Sequence, residues 1–526
     1  MKTCLGIPVR YPTAPAPTNR AKTPLFACHP SQYNCAMLRR DFLKLFAASL
    51  ATSAQAARWK SGKTFRDDFK YLEFTVPQFQ RAMRERKLTS LELTRAYIRR
   101  IEALDHDGPN VNSVIIVNPD ALAIARELDR ERKGGNVRGP MHGIPILLKD
   151  NIDTGDKMPT TAGSLALKNT FALRDAFLVE KLREAGAIIL GKTNLSEWAN
   201  FRSTRSTSGW SAVGGLTRNP YALDRNTSGS SSGSGAAVCA NFCAVAVGTE
   251  TDGSIISPSS YCGIVGLKPT LGLVSRSGIV PISKTQDTPG PMTRTVADAA
   301  ILLGAMTGIE PRDQGTSEND GKTHRDYTQF LDANGLRGAR LGIARQYFRN
   351  RNDKASEAIE AAVRLLKEAG AELIDPIDLP SFNKIGDAEY QVMLYEFKDG
   401  IEKYFATRDD NFPFKNLADL IAFNEKHADD ELRHFGQEHF LRAQEKGPLT
   451  DKDYIERLEK CRKLSRVEGI DAVMDEHNLD AIVAPSGGPA HRTDLLYGNR
   501  DTGGSSSAAA IAGYPSITGP ARFVSG

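Results

Sequence analysis

The chain has few cysteines for its length and no hydrophobic run long enough to span a membrane. A membrane-spanning helix needs about 20 successive apolar residues, and no segment supplies them, so no stable membrane anchor is expected. Three of the seven cysteines lie within the first 36 residues. Cys239 and Cys243, four residues apart in an apolar segment, are expected to pack as small hydrophobes rather than form a disulfide or metal pair. A disulfide-stapled fold is therefore not expected.

An excess of one charge is also missing once the N-terminal residues are set aside. The whole chain carries a net charge of +5, but residues 1–56 hold seven basic residues and one acidic residue, which leaves −1 for residues 57–526. Without a basic surface, the main part of the chain is not expected to bind nucleic acid or an anionic membrane. Internal repeats and coiled-coil heptads are absent as well.

The basic N-terminus has the pattern of an export signal. Arg39 and Arg40 precede an apolar stretch at 45–54 and the small-residue site Ala54-Gln55-Ala56, which is typical of a twin-arginine signal over residues 37–56. Residues 1–36 are then a disordered or untranslated extension, and 57–526 is a single exported domain, periplasmic or secreted, whose transient partner is the twin-arginine translocase. The alternative is a chance dibasic pair before a mitochondrial-like presequence or an ordinary helix.

From residue 111 onward, predicted strands and helices alternate. This βαβ rhythm predicts an α/β fold with a central mixed, largely parallel sheet flanked by helices on both faces. Strands are predicted at 111–117, 143–148, 187–190, 244–249 and 341–344, and helices at 119–133, 176–185, 235–242, 295–306 and 354–369. Catalytic groups in such sheets gather at the carboxyl ends of strands, and Lys149 follows one of these strands directly.

A charged segment from about 381 to 461 has no strand signal and is predicted to be a helical insertion over a substrate cleft. It contains His427, His434 and His439 near Glu431. Their spacing does not match a zinc-binding His-Glu-x-x-His pattern, so a solvated helix face is expected rather than a metal site.

Two Gly/Ser turns, at 228–233 and 251–255, carry the chemistry that the sequence suggests. A serine in a glycine-containing turn can attack a carbonyl carbon while neighbouring backbone N–H groups hold the oxyanion. A flexible linker is disfavoured at 227–235 because the flanking segments are strongly apolar. A phosphate-binding loop is disfavoured because no Gly-Lys-Ser/Thr follows.

Residues 143–150, 228–233 and 248–254, continuing to 263–270, resemble the amidase signature family, and the resemblance runs from about Tyr71 to the end of the chain. The Thr-Glu-Thr-Asp-Gly-Ser-Ile variant is more similar to bacterial peptide amidases than to the amidotransferase component that amidates glutamyl-tRNA. The resemblance implies that Ser254 is the nucleophile, that Ser230 is a bridging serine preceded by a cis peptide, and that Lys149 is the base.

The resemblance also assigns supporting residues. The predicted oxyanion hole consists of the backbone N–H groups of Thr251, Asp252, Gly253 and Ser254, with the Asp252 side chain supporting the turn. Ser231 and Ser232 are expected to support the loop or the proton relay. Lys149 can accept a proton only when neutral, a state that burial promotes. The mechanism requires no metal and no organic cofactor.

Each proposed catalytic residue has an ordinary alternative: Lys149 as a solvent-facing lysine, Ser230 as a turn hydroxyl, and Ser254 as a helix N-cap. The predicted activity is hydrolysis of a carboxamide, either a peptide C-terminal amide or a small aryl or alkyl amide, through an acyl-enzyme. Two alternatives stay open. One is an amidotransferase A-type subunit that releases ammonia from glutamine. The other is an inactive exported binding homologue, because family members usually continue beyond the point where this chain stops, at Gly526.

Overall fold

The computed structural model describes residues 69–348 and 353–522. The described residues from Tyr71 onward form one compact unit. The N-terminal extension predicted at 1–36 and the export signal predicted at 37–56 lie outside the described residues. Over the described ranges, no helix is both long enough and apolar enough to cross a bilayer.

Twelve strands are described. They are β1 (Val114–Val117), β2 (Pro145–Lys149), β3 (Ile188–Thr193), β4 (Trp210–Ser211), β5 (Gly215–Leu216), β6 (Val245–Glu250), β7 (Val265–Lys268), β8 (Thr288–Thr293), β9 (Arg340–Ala344), β10 (Glu372–Ile377), β11 (Ala481–Val483) and β12 (Ser516–Thr518).

The helices of the described ranges include fifteen α-helices. They are α1 (Val76–Arg84), α2 (Ser90–Arg100), α3 (Ala121–Lys133), α4 (Phe177–Glu184), α5 (Ser232–Cys239), α6 (Ile256–Tyr261), α7 (Val296–Met306), α8 (Asp353–Glu368), α9 (Gly386–Phe405), α10 (Leu417–Lys426), α11 (Ala428–Glu431), α12 (Glu438–Gln444), α13 (Lys452–Arg462), α14 (Asp471–Glu476) and α15 (Ser506–Ala512). Two π-helical segments, Ile101–His106 and Lys463–Ile470, extend α2 and α13.

The central sheet has seven strands in the order β1-β3-β2-β6-β8-β7-β12. The neighbours β3, β2 and β6 are parallel, and the remaining pairs are antiparallel. A separate three-stranded sheet, β10-β9-β11, is parallel throughout. The predicted α/β fold with a mixed central sheet and flanking helices is confirmed. The parallel strands β2 and β6 end side by side, which brings Lys149 close to Thr249.

Helix α5 begins at Ser232, inside the Gly/Ser run and three residues before its predicted start. The small residues there allow close packing on the sheet. A Cβ added at Gly233 would lie 2.3 Å from the carbonyl oxygen of Ser113 and 2.5 Å from that of Asn194. Glycine and serine are typical of turns, so composition alone hides the start of this helix.

Strand β8 was not predicted, although it lies between β6 and β7. It contains Pro289 and Pro291, which pair with Thr249 and Val247 of β6. Proline lacks the N–H that a strand donates and is rare in interior strands, so its presence argues against a strand at this position. The strand persists here with every residue buried.

The segment from 381 to 461 is helical in the structure and comprises α9 to α13. The expected solvated face is wrong for Glu431, which is fully buried. Its carboxylate faces the buried guanidinium of Arg202, which also pairs with Glu197. A carboxylate can be buried in this way because a cation and hydrogen-bond donors compensate its lost hydration. Of the histidines, His427 is exposed, whereas His439 is half-buried and bonds the Tyr390 hydroxyl at 2.8 Å.

Candidate active site

Lys149 lies at the carboxyl end of β2 and is completely buried. Its Nζ donates to Ser230 Oγ at 2.6 Å, to Thr249 Oγ1 at 2.8 Å and to the Thr249 carbonyl at 3.2 Å. Burial lowers the pKa of Lys149 to about 7, and the nearby carboxylates of Asp287 and Glu250 partly oppose that shift. Near neutral pH a substantial fraction of this amine is therefore uncharged and able to accept a proton.

The turn at 228–233 presents Ser230 to this amine. The Gly229–Ser230 peptide bond is cis, as the resemblance implies. The Ser230 carbonyl accepts from the Ser196 N–H at 3.0 Å, which fixes the loop to the segment after β3. Ser230 is completely buried.

Ser231 and Ser232, which are expected to support the loop or the proton relay, make different contacts. Ser231 Oγ donates to the Thr249 carbonyl at 3.0 Å and accepts from the Thr249 N–H at 3.2 Å. Ser231 also donates its N–H to the Ser254 carbonyl at 3.1 Å. It thus joins the two Gly/Ser turns. Ser232 Oγ instead donates to the Ser228 carbonyl at 2.7 Å, within its own turn, and lies 3.4 Å from Ser196 Oγ.

The second turn, residues 251–254, connects β6 to α6. Gly253 has φ +78°, a conformation that a side chain disfavours, and an added Cβ would lie 2.9 Å from Ser506 Oγ. Within the described part of the chain, the N–H groups of Thr251, Asp252, Gly253 and Ser254 donate to no other group. Four consecutive free donors form a suitable site for an oxyanion.

Hydrogen bonds to two buried carboxylates hold this turn in place. Glu250 Oε2 accepts from the N–H groups of Ile255 and Ile256 at 2.7 and 2.9 Å. Thr251 Oγ1 donates to Asp287 Oδ1 at 2.6 Å. Burial raises the pKa of the Asp287 carboxyl to about 6. The turn is thus held by side chains, while its own N–H groups stay available.

Asp252 is held from the C-terminal part of the chain. Its two carboxylate oxygens accept from the hydroxyls of Ser506 and Ser507, each at 2.5 Å. This arrangement agrees with the supporting role expected for the Asp252 side chain. Both serines belong to α15, a helix more than 250 residues away in sequence.

The ordinary alternatives for the three central residues do not fit the structure. Lys149 does not face solvent, and Ser230 contacts a buried amine rather than only its own turn. Ser254 is not a helix N-cap, because the N-cap position of α6 is Ile255. In the described ranges the Ser254 hydroxyl makes no side-chain hydrogen bond, and the residue is 8% exposed.

Several supporting residues were not predicted. Thr249 binds Lys149, and Asn151 Nδ2 donates to Thr249 Oγ1 at 3.0 Å. Their positions in the sequence could have indicated these two residues, because both lie at or next to the carboxyl ends of strands that carry the site. Gln286 Nε2 lies 3.4 Å from the Thr251 carbonyl, and Gln286 also lines a cavity of about 580 Å³. Nothing in the local sequence indicates this contact.

No group of three or more His, Cys, Asp or Glu side chains over residues 69–348 and 353–522 is arranged to hold a metal ion. The polar atoms around Lys149 are mostly hydroxyl and carbonyl oxygens. The arrangement fits proton transfer between hydroxyls and an amine, next to donors for an oxyanion.

The chain matches the family model described as Amidase over residues 92–525. A probable amidase of Arabidopsis thaliana is 42% identical over 466 residues, which are 87% of this chain and 85% of that protein. The crystal structure of native peptide amidase from Stenotrophomonas maltophilia superposes with a TM-score of 0.82 and 50% identity, covering 86% of this chain and 91% of the other. The A-type component of glutamyl-tRNA(Gln) amidotransferase from Thermoanaerobacter pseudethanolicus is 36% identical over 358 residues, 64% of this chain and 70% of that protein.

Proposed function

Because the chain belongs to the amidase family and is an amide hydrolase, we propose that it converts a carboxamide to a carboxylate and ammonia. The proposed substrate is a peptide C-terminal amide or a small aryl or alkyl amide. The similarity to a peptide amidase over most of both chains supports this substrate class. The observation that carries the proposal is the 2.6 Å contact between the buried Lys149 amine and Ser230 Oγ, beside a turn with four free N–H groups.

The proposed reaction begins with attack of Ser254 Oγ on the amide carbon. As the new C–O bond forms, the Ser254 proton passes to Ser230 Oγ, and the Ser230 proton passes to the neutral Lys149 Nζ. The electron pair of the C=O bond moves to oxygen, and the N–H groups of residues 251–254 hold that oxyanion. A hydrogen bond that strengthens as charge develops lowers the barrier more than one made equally in the ground state.

The tetrahedral intermediate then collapses. The C=O bond reforms, the C–N bond breaks, and Lys149 returns its proton through Ser230 to the departing nitrogen, which leaves as ammonia. Water attacks the resulting ester at Ser254, and the same relay accepts the proton of the water and returns it to Ser254 Oγ. The carboxylate leaves with a regenerated serine, so proton transfer balances over the cycle.

Hydrolysis is proposed in preference to the amidotransferase reaction because of the degree of sequence identity. The amidotransferase component is 36% identical to this chain over the residues that it matches, whereas the peptide amidase is 50% identical. A requirement for glutamine and for copurifying partner proteins would support the amidotransferase reaction instead.

The test measures ammonia release by the purified full chain from a panel of peptide amides and small amides. We expect turnover by the wild type and none by Ser254→Ala. Mass spectrometry of quenched reactions should find the acyl group on the peptide that contains Ser254. Equal ammonia release by Ser254→Ala would contradict the proposal. Tight binding of amides without turnover by the wild type would identify an inactive binding homologue.

We also propose export through the twin-arginine pathway, which rests on the sequence of residues 37–56. A reporter protein fused to these residues should reach the bacterial periplasm, and Arg39→Lys with Arg40→Lys should retain it in the cytoplasm. Export that is unaffected by this double change would contradict the proposal.

A further inference from the structure

A buried acid that the catalytic mechanism does not use lies against the oxyanion turn. Glu389, on α9, is only 7% exposed, and its Oε1 accepts from Gln286 Nε2 at 2.9 Å. The same Gln286 nitrogen lies 3.4 Å from the Thr251 carbonyl. The Glu389 side chain also forms a hydrogen bond with Asp252. Glu389 therefore reaches both Thr251 and Asp252, the second directly and the first through Gln286.

Two carboxyl groups that share a hydrogen bond need a proton between them, because both cannot ionise at such close range without strong repulsion. Asp252 is only half-buried, and the hydroxyls of Ser506 and Ser507 already donate to its two oxygens. Glu389 is the more buried partner. The proton therefore resides on Glu389, which donates to Asp252.

Among the described residues, the surroundings of Glu389 provide no compensating cation. Burial is the largest cause that raises the pKa of Glu389, to about 8, followed by the charge of Asp252 and, more weakly, the hydrogen bond between the two acids. The Gln286 amide opposes the shift. From α13 the facing titratable group is the Cys461 thiol, whose pKa Glu389 helps to raise. No lysine or arginine of the described residues contributes to the shift at Glu389.

We propose that Glu389 is a positioning residue for amide hydrolysis, which acts as a neutral carboxylic acid to hold the oxyanion turn through Asp252 and Gln286. This inference rests on the proposed amidase function. The neutral acid donates to the Asp252 side chain and accepts from the amide that supports Thr251. The turn then keeps its four N–H groups directed at the developing oxyanion. Loss of the proton would replace an attraction with a repulsion between two carboxylates and would disturb the turn.

Activity against pH tests the proposal in the full chain. Lys149 must be neutral to act as the base, so activity rises with pH around 7, and loss of the Glu389 proton then lowers kcat with a midpoint near 8. Glu389→Gln keeps a neutral donor and acceptor. We expect it to retain kcat within about threefold at the optimum and to lose the alkaline decline. Glu389→Ala should lower kcat by about 10- to 100-fold with little change in KM, as expected when oxyanion stabilisation weakens.

Glu396→Gln is the matched control. Glu396 lies two turns further along α9 and is also buried, and its carboxylate accepts from Ser283, Thr285 and Tyr454. Its replacement should lower the melting temperature and leave the alkaline decline in place. The proposal is overturned if Glu389→Gln keeps the wild-type alkaline decline, or if Glu389→Ala retains full kcat.

A measurement that does not require turnover separates this inference from the proposed function. Ser254→Ala and Ser254→Ala/Glu389→Gln are compared by thermal unfolding from pH 5 to 9. The pKa of Glu389 is higher in the folded state than its ordinary value of 4.5, so its stabilising effect is complete below pH 4.5 and is lost as the pH rises through 8. The melting temperature of the single variant should therefore fall relative to that of the double variant as the pH rises to about 8. Above pH 8 the difference between the two melting temperatures should stay constant.

Parallel unfolding curves over the whole pH range would overturn the neutral-acid assignment even in an active enzyme. If instead no amide is hydrolysed by the wild type, the proposed function fails, and the unfolding comparison still decides whether Glu389 is protonated in the fold.

Discussion

Two neighbouring strands of the central sheet each carry a completely buried lysine, and the two amines have different hydrogen-bond partners. Lys149 is on β2 and Lys192 on β3, where Leu148 pairs with Lys192 and Lys149 with Thr193. Successive side chains on a strand point to opposite faces, so the two amines leave the sheet on opposite sides.

The partners of the two amines differ in what they can exchange. Lys149 contacts two hydroxyls, and a hydroxyl can both donate and accept a proton. Lys192 Nζ donates to the Ile152 carbonyl at 2.7 Å and to Thr160 Oγ1 at 3.1 Å, and it lies 3.8 Å from Asp150 Oδ1.

Burial lowers the pKa of both amines, and nearby carboxylates partly oppose this shift. At Lys192 the opposing carboxylates are mainly those of Asp150 and Asp153. Burial alone therefore does not make a lysine a catalytic base. What distinguishes Lys149 is its contact with the Ser230 hydroxyl, which in the proposed mechanism relays the proton of Ser254. Lys192, beside carbonyl oxygens and an acid, has the surroundings of a structural cation.

The largest effect is expected from variants that remove each amine separately. Lys149→Met should lower kcat by about 10⁴-fold or more, because loss of the base in a hydroxyl–amine relay removes the proton acceptor for the attack. Lys192→Met should lower the melting temperature, since it leaves the buried Asp150 without its nearest cation. The measurements are kcat and thermal unfolding on both proteins.

Folded Lys192→Met protein should keep the wild-type pH profile, with its midpoint near 7. Near-normal kcat in Lys149→Met, or a Lys192→Met variant that unfolds normally but has lost turnover, would reverse the roles assigned to the two regions.

A smaller effect is expected from the hydroxyl that each amine contacts. Ser230→Ala removes the proposed relay while the proposed base and nucleophile remain, and kcat should fall by about 10²- to 10³-fold with little change in KM. Thr160→Ala removes the corresponding contact of Lys192 and should lower only stability, by about 1 kcal/mol. Equal losses of kcat in the two variants would show that the Ser230 hydroxyl has no special role.

Sequence patterns could predict the parts of this site that are encoded locally. A short apolar run followed by a lysine located Lys149 at the end of a strand, and the Gly/Ser turns located Ser230 and Ser254. The structure brings these residues to one end of the parallel strands β2 and β6. The α/β architecture was predictable for the same reason, since strand and helix periods are read within short windows.

The remaining features depend on pairings between distant residues. Glu389 meets Asp252 across 137 residues, and Arg202 meets Glu431 across 229. A buried acid and a solvated acid have the same local pattern, which explains why Glu431 was expected on a solvated face. Strand β8 could not be predicted locally because Pro289 and Pro291 disfavour an interior strand. The strand forms through its pairing with β6 and β7.

The smallest predicted effect concerns Thr249, whose hydroxyl accepts from Lys149 at 2.8 Å. This hydrogen bond favours the charged amine, so Thr249→Val should lower the pKa of Lys149 and move the rising limb of kcat/KM below its wild-type midpoint near 7, by less than about one pH unit. The change in kcat at the plateau should stay within about tenfold, because the relay through Ser230 remains. The matched control is Asp150→Asn, next to Lys149 in sequence but facing Lys192, which should lower stability without moving the limb. A limb that moves with Asp150→Asn and not with Thr249→Val would show that the carboxylates, rather than the hydroxyls, set the basicity of Lys149.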